Sequence, residues 1–354
     1  AMTAAARSVT IFAVRERAFR RLTTVSDAPD DSTDPLALIF PGQGSQTPGM
    51  GKLVYAHSEA ARRTFEEASD LTNMDIAAVC FEGDVDDLSE TTYTQPAVLT
   101  TSIAIVNAMR EKLSDVGRLV RPRLFGGHSL GLFSAAVASE ALTFRDALFV
   151  VLERSRLMSS FNQERPVGMA SIIGLDSETV REICEEATLS PLDRVDVANH
   201  NLDTQTVISG DVTALERAME RSRALQAKVI RLKVRVSSHT PLHHEQAEHF
   251  AQIIREVPIA DPKRPIVSNR TSELLRTAAE VRQEFEEQLR SPVFWSENVR
   301  QMTAQGVDTF VEVGPGHVLA RMIKRISDRV TAVSLDDAVV EPIPISALPP
   351  EPAH

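Results

Sequence analysis

The run Gly127-His128-Ser129-Leu130-Gly131 follows a short apolar stretch and opens a segment of small residues. This is a G-x-S-x-G pattern, which predicts a strand, a sharp turn and a helix. Its glycines remove Cβ groups that so tight a bend would drive into the backbone. Ser129 then stands at a helix N-terminus, where unpaired N–H groups and the positive dipole end favour a developing anion, so its hydroxyl is a candidate nucleophile. The same five residues also fit a glycine-rich turn with a capping serine and no chemistry.

A serine hydroxyl needs a base to become a nucleophile. The stretch VRVSSHTPLHHEQAEHF holds His239, His243, His244 and His249, four of the nine histidines in the chain. A zinc reading fails on spacing: His239 and His243 enclose no glutamate in the H-E-x-x-H position, and the interval from His244 to His249 is one residue too long. His243, His244 and His249 fall on a helix expected to begin near Pro241 and read as surface residues. His239 precedes that proline on a loop, from which an imidazole could reach a serine and act as general base.

The elements that must position these groups alternate between strand and helix. LALIF, residues 36–40, reads as a buried strand that stops at the loop Pro41-Gly42-Gln43-Gly44-Ser45-Gln46. The loop is not a dinucleotide fingerprint, because Thr47 stands at its third glycine position and no acidic residue follows on a second strand at the required distance. Helices are expected over 58–70 and 95–113, the second apolar enough to lie mostly inside. Another, over 144–162, carries Arg154 and Arg156, cations that most proteins would leave solvated. Between Gly168 and Val234 shorter units follow in the order β-α-β-β-α-β, the split βαβ, ferredoxin-like arrangement. The chain closes with the strand RPIVSN, two helices, the strand TFVEVG and a helix from Val318. Two lobes of unequal size leave a cleft, where small-molecule sites form.

A chain of 354 residues is long enough for one large domain or two unequal ones. Cys80 and Cys184 lie roughly a hundred residues apart and match neither a disulfide framework nor a metal site, which points to a reducing compartment. No stretch reaches the roughly 20 apolar residues of a membrane span. A net charge of −11 argues against general nucleic-acid binding but leaves room for a local basic patch. Residues 1-35 read as a loosely ordered extension whose arginines weakly resemble a transit peptide. Residues 335-354 read as a proline-rich tail.

Six motifs in order carry a resemblance: FPGQGSQ (40–46), GHSLG (127–131), GMASIIGLD (168–176), VANHN (197–201), VSSH (236–239) and EVGPGHVL (312–319). The chain resembles malonyl-CoA:acyl carrier protein transacylases and the acyltransferase domains of polyketide synthases over residues 36–334. The resemblance implies an α/β fold: a large α/β-hydrolase-like core with a parallel sheet (36-166 and 235-334) plus an inserted small ferredoxin-like subdomain (167-234). It implies ping-pong transfer of a malonyl group from coenzyme A to Ser129, then to the phosphopantetheine thiol of a holo acyl carrier protein.

His239 would be the base, oriented by the backbone carbonyl of Gln288. Gln43 and Leu130 would supply oxyanion-hole N–H groups, and Arg154 would grip the malonyl carboxylate, with His128 and Gln43 also meeting substrate. No cofactor or metal is implied, nor any nucleic-acid or membrane partner, and a cytoplasmic monomer is expected. Because the carrier is acidic, Arg321, Lys324, Arg325 and Arg329 are docking candidates, against the alternative of a solvated helix face. Ser237 leaves open whether an alkylated malonyl unit is taken, as a trans-acting polyketide acyltransferase would do. Two readings of other classes remain: a serine thioesterase or esterase, with Asp176 or Asp196 as a third member, and a non-catalytic carrier-binding module, which intact Ser129, His239, Gln43 and Arg154 disfavour.

Overall fold

The computed structural model describes residues 24–25, 33–115, 117–232 and 237–336. Most of the 1-35 extension, the 335-354 tail after Asp336, and the end of the strand expected over 228–234 with the boundary that follows it lie outside the described residues.

The strand Asp34–Phe40 lies inside a six-stranded sheet. It pairs in parallel with Pro122–Gly127 on one side and Thr309–Val313 on the other. Thr331–Leu335 extends the sheet in parallel at one edge, and Ile266–Val267 with antiparallel Leu274–Leu275 completes the other. Both faces are covered, which is why LALIF reads as continuously apolar. Leu36, Leu38 and Phe40 point into the larger core, whereas Ala37 and Ile39 point into a second cluster around Trp295, Met302 and Phe310. The helix Thr91–Ser114 runs through the larger core, with every residue from Thr94 to Val106 buried.

The segment from Val167 to Arg231 builds a separate four-stranded antiparallel sheet. In space its strands run Val195–Leu202, Gln205–Asp211, Val167–Ile173, Lys228–Arg231. That is the ferredoxin-like order expected from the βαββαβ pattern. The helices Ser177–Ala187 and Val212–Ala224 join the sheet in one core through Val180, Ile183, Leu215 and Ala218, which meet Ala170, Ile172 and Ile208. The strand period of two turns the alternate residues Met169 and Val207 to the opposite face, where they sit with Ala198.

Several expectations shift. The strand RPIVSN shrinks to Ile266–Val267: Ser268 N–H still meets the Glu273 carbonyl of the hairpin, but Asn269 N–H turns to the Glu284 carboxylate rather than to a sheet neighbour. The short helices Lys52–His57 and Ile76–Glu82 and the strand Thr331–Leu335 were not legible in the sequence pattern. No described helix is long and apolar enough to cross a membrane.

The turn after Pro122–Gly127 is built on two close approaches. A Cβ on Gly131 would stand 2.0 Å from the Phe40 carbonyl oxygen, and one on Gly127 would stand 2.2 Å from Gly131 backbone atoms. Neither neighbour is a side chain that can swing aside. Gly131→Ala is therefore expected to destabilise the protein by about 3 kcal/mol or more, read as a shifted midpoint in chemical denaturation; an unchanged midpoint would show that the strand and helix can separate at no cost.

Candidate active site

Ser129 sits between Pro122–Gly127 and the helix Gly131–Ala138 with φ at 53°, the left-handed region that a non-glycine residue enters at a cost of about 1–3 kcal/mol. His239 takes the same unusual backbone, with φ at 64°. The two meet: Ser129 Oγ lies 2.6 Å from His239 Nε2. On the far side of the ring, Nδ1 lies 3.0 Å from the Gln288 carbonyl oxygen and 3.2 Å from that of Ser291. Two acceptors there require Nδ1 to carry the proton, so the Nε2 lone pair faces the serine hydroxyl. Burial, the nearby Arg154 guanidinium and His128 together push the His239 pKa down to about 3. The imidazole is neutral and able to accept a proton.

Arg154 departs from the solvated side chain expected of its helix. It is 1% exposed, whereas Arg156 is exposed and pairs with Glu153. Its Nη1 donates to Gln95 Oε1 at 2.8 Å and its Nη2 to Ser129 Oγ at 3.1 Å. Its Nε has no partner among the described residues, and no described carboxylate pairs with it. Burial lowers its pKa to about 10, which leaves it charged at neutral pH.

The loop after Asp34–Phe40 lies across the serine turn. A Cβ on Gly42 would come within 2.5 Å of the His128 carbonyl oxygen, so only glycine lets the two backbones approach. Gln43 anchors its side chain by donating to Thr91 Oγ1 at 3.2 Å. Leu130 has its side chain in the core and begins the turn into the helix. His128 Nε2 bonds Asn201 Oδ1 at 2.9 Å, linking the turn to the small subdomain, and burial lowers its pKa.

These groups line one cleft with about 430 Å³ of room, floored by Ser129, His239 and Arg154 and walled by Gln43 on one side and by Met169 and Asn201 of the small sheet on the other. That volume suits a small ligand or the end of a longer one.

Three residues not singled out in the sequence belong to this arrangement: Gln95, which holds Arg154, Asn269, whose Oδ1 accepts from Ser129 N–H at 2.8 Å, and Ser291. Each is an ordinary polar residue in a helix or loop, with no spacing signal to mark it. His243 corrects an expectation, since it is fully buried, bonded through Nε2 to the Ser237 hydroxyl and packed 4.5 Å from the Phe161 ring. The short turn Pro241–His243 rolls it inward before the helix proper, while His244 and His249 are exposed as expected. Ser237 is thereby turned toward His243; Ser238, not Ser237, lines the cleft. Asp176 caps its own helix and Asp196 pairs with Arg194, so neither acid reaches His239. Arg321, Lys324 and Arg325 are exposed on the helix Val318–Ile326, whose Val318, Leu319 and Met322 line the cleft.

The acyl transferase domain family matches residues 37–342. The chain is 36% identical over 320 residues to the malonyl CoA-acyl carrier protein transacylase of Bacillus subtilis, spanning 89% of this chain and 98% of that one. Its fold resembles the malonyl CoA-acyl carrier protein transacylase of Coxiella burnetii with a TM-score of 0.81 and 34% identity, over 86% of this chain and 95% of the other. It also resembles a malonyl-transacylase solved in complex with a type II polyketide synthase acyl-carrier protein, with a TM-score of 0.80 and 34% identity, over 90% and 99% of the two chains. On matches of this length and identity, the chain belongs to the malonyl-CoA:acyl carrier protein transacylases of the acyl transferase domain family.

Proposed function

We propose that the protein moves a malonyl group from coenzyme A to Ser129 and from there to the phosphopantetheine thiol of an acyl carrier protein. The observation that carries this reading is the Arg154 guanidinium, buried and without an acid partner among the described residues, beside the Ser129–His239 pair. A buried cation without an anion is costly, and a substrate carboxylate would relieve that cost. Malonyl presents one within reach of its own thioester carbon.

In the first half-reaction Ser129 Oγ attacks the thioester carbonyl while its proton passes to His239 Nε2. The oxyanion that forms is placed against the backbone N–H groups of Gln43 and Leu130. Ser129's own N–H is engaged by Asn269, so the nucleophile's residue does not serve as donor. The C–S bond breaks, His239 returns the proton to the departing thiolate, and the malonyl ester of Ser129 remains. The second half-reaction runs the same steps backwards with the carrier thiol as nucleophile. A hydrolase would use water here, but its usual acid partner for histidine is replaced by two carbonyl oxygens. We assign the core to residues 36-166 and 235-334 and the inserted subdomain to 167-234 on the partition of strands between the two sheets. The cysteines, both buried, fit a cytoplasmic enzyme.

Arg321 and Lys324 stand on the helix whose first residues line the cleft, and we assign them to carrier docking. Arg325 donates to Gln205 Oε1 at 3.1 Å, which ties this helix to the subdomain wall.

Intact-protein mass after brief mixing with malonyl-CoA is expected to show a malonyl adduct on the wild type and none on Ser129→Ala. Arg154→Gln should form that adduct roughly 10- to 100-fold more slowly, the worth of about 1.5–3 kcal/mol in charge-assisted hydrogen bonds. Equal acetyl and malonyl labelling of the wild type would contradict the role given to Arg154.

The depressed pKa of His239 has a sign that can be read in kinetics. A base that stays neutral down to about pH 3 keeps its activity as pH falls through the ordinary imidazole value of about 6.5. The kcat/KM for acylation is expected to stay level between about pH 8 and pH 5; a falling limb centred near 6.5 would place His239 in an ordinary, solvated setting.

Reversing charge at Arg321 and Lys324 together should slow transfer to carrier at low salt by roughly tenfold or more while leaving acylation by malonyl-CoA unchanged. An unchanged transfer rate would remove this helix from the interface.

A further inference from the structure

Three backbone groups of the serine turn are held by two buried amides. Asn269 Oδ1 accepts from Ser129 N–H at 2.8 Å, and Asn269 Nδ2 donates to the Gly127 carbonyl at 2.7 Å. Gln288 Nε2 donates to the Ser129 carbonyl at 3.1 Å. Asn269 is in turn gripped from behind: its N–H donates to Glu284 Oε1 at 2.9 Å, and Ser268 Oγ donates to Glu284 Oε2 at 2.6 Å. Glu284 is 2% exposed, with Arg270 Nε at 3.5 Å. Burial raises its pKa. Glu284 lies on the helix Ala278–Glu287 and Gln288 opens the turn that continues it, four residues on and so on the same face.

We infer that Asn269 is a positioning residue for Ser129, and that Glu284 and Gln288 form one rigid face setting nucleophile and base in a common frame. The inference rests on Ser129 being the nucleophile. Gln288 touches both reacting residues, through its carbonyl to His239 and through its amide to Ser129, while Glu284 reaches Ser129 through Asn269. A left-handed serine persists only where its surroundings over-determine it. Asn269 supplies an acceptor and a donor to the turn on the N-terminal side of the strained residue, and Gln288 holds its carbonyl on the other side; only an amide in this orientation gives Asn269 both bonds. The Glu284 carboxylate meets two donors and a guanidinium, so its burial is compensated on the side facing Asn269.

The test is single-turnover acylation by malonyl-CoA, followed by rapid quench and intact mass. Burst amplitude counts folded, competent molecules, and the rate constant reports alignment in each of them. Asn269→Ala removes both bonds to the turn; Asn269→Asp keeps the acceptor for Ser129 N–H but sets an oxygen against the Gly127 carbonyl. Both are expected to lower the rate constant by ~10²-fold with the concentration of malonyl-CoA for half-saturation moved less than ~3-fold, since a displacement of about 1 Å carries that kinetic cost. Glu284→Gln retains an acceptor for Asn269 N–H and is expected to stay within ~3-fold of wild type, whereas Glu284→Leu should fall as Asn269→Ala does. A reduced amplitude with an unchanged rate constant would make Asn269 merely structural and overturn the inference. If Asn269→Ala does not fold, equal rate constants for Glu284→Gln and Glu284→Leu overturn it as well. An adduct on Ser129→Ala would instead overturn the nucleophile assignment on which the inference rests.

Discussion

The left-handed backbone at Ser129 is the constraint on which the site depends. It lifts the hydroxyl out of the plane of a parallel strand and places it over a helix N-terminus, which an extended or helical serine could not do. Conformational strain of this kind relaxes unless neighbouring groups hold it. Here the sheet holds it from below: Gly127 and Gly131 let the strand, the turn and the helix close on Phe40 and on each other with no Cβ between them. The amides of Asn269 and Gln288 hold it from the side. The core of the protein thus serves the turn, since burying both faces of the central sheet is what makes its frame stiff enough to store strain.

Electrostatics around the turn follow from the same burial. Burial first, and then the charge on neighbouring Arg154, which costs more once water is removed, keep His239 neutral. On the proposed reading each group has one role: a permanent cation for an anion, and an uncharged base for a proton. Arg154 also donates to the serine oxygen, a bond that would favour alkoxide character if Ser129 acts as the proposed nucleophile. The third-group carboxylate found in many serine enzymes would work against this balance by stabilising imidazolium. Carbonyl oxygens orient the ring without adding charge.

The small subdomain contributes a wall more than chemistry. One face of its sheet is consumed by two helices, and the period of the strands delivers Met169, Ser171 and Val207 to the other. Its Asn201 reaches His128, and its Gln205 reaches Arg325, so both lobes meet at the mouth and at the floor of the cleft. The overall charge of −11 coexists with exposed cations on the helix that borders this mouth. Local placement, and not the total, decides what surface an acidic partner meets.

Much of this was legible in the residues alone, because strong local rules wrote it there. G-x-S-x-G specifies a strand–turn–helix, and the βαββαβ alternation specified the inserted sheet down to its strand order. Ser129 stood out from its G-x-S-x-G turn and His239 from the loop ahead of a proline, whereas the roles expected of Arg154, Gln43 and Gln288 came from the family resemblance. The structure decided what spacing does not encode. Whether Arg154 faces solvent or the cleft depends on which side of its helix the sheet covers, and Arg156, two residues on, faces the other way. His243 looked like a surface residue because the turn that rolls it inward has no periodic signature. Asn269 and Glu284 were invisible because their significance lies in contacts to residues more than a hundred and about fifteen positions away, respectively, and long-range contacts leave no local pattern. Sequence by itself determined the fold class and the groups able to react; only tertiary packing decided their alignment, their burial and hence their charge states, because those depend on what the fold brings alongside each group.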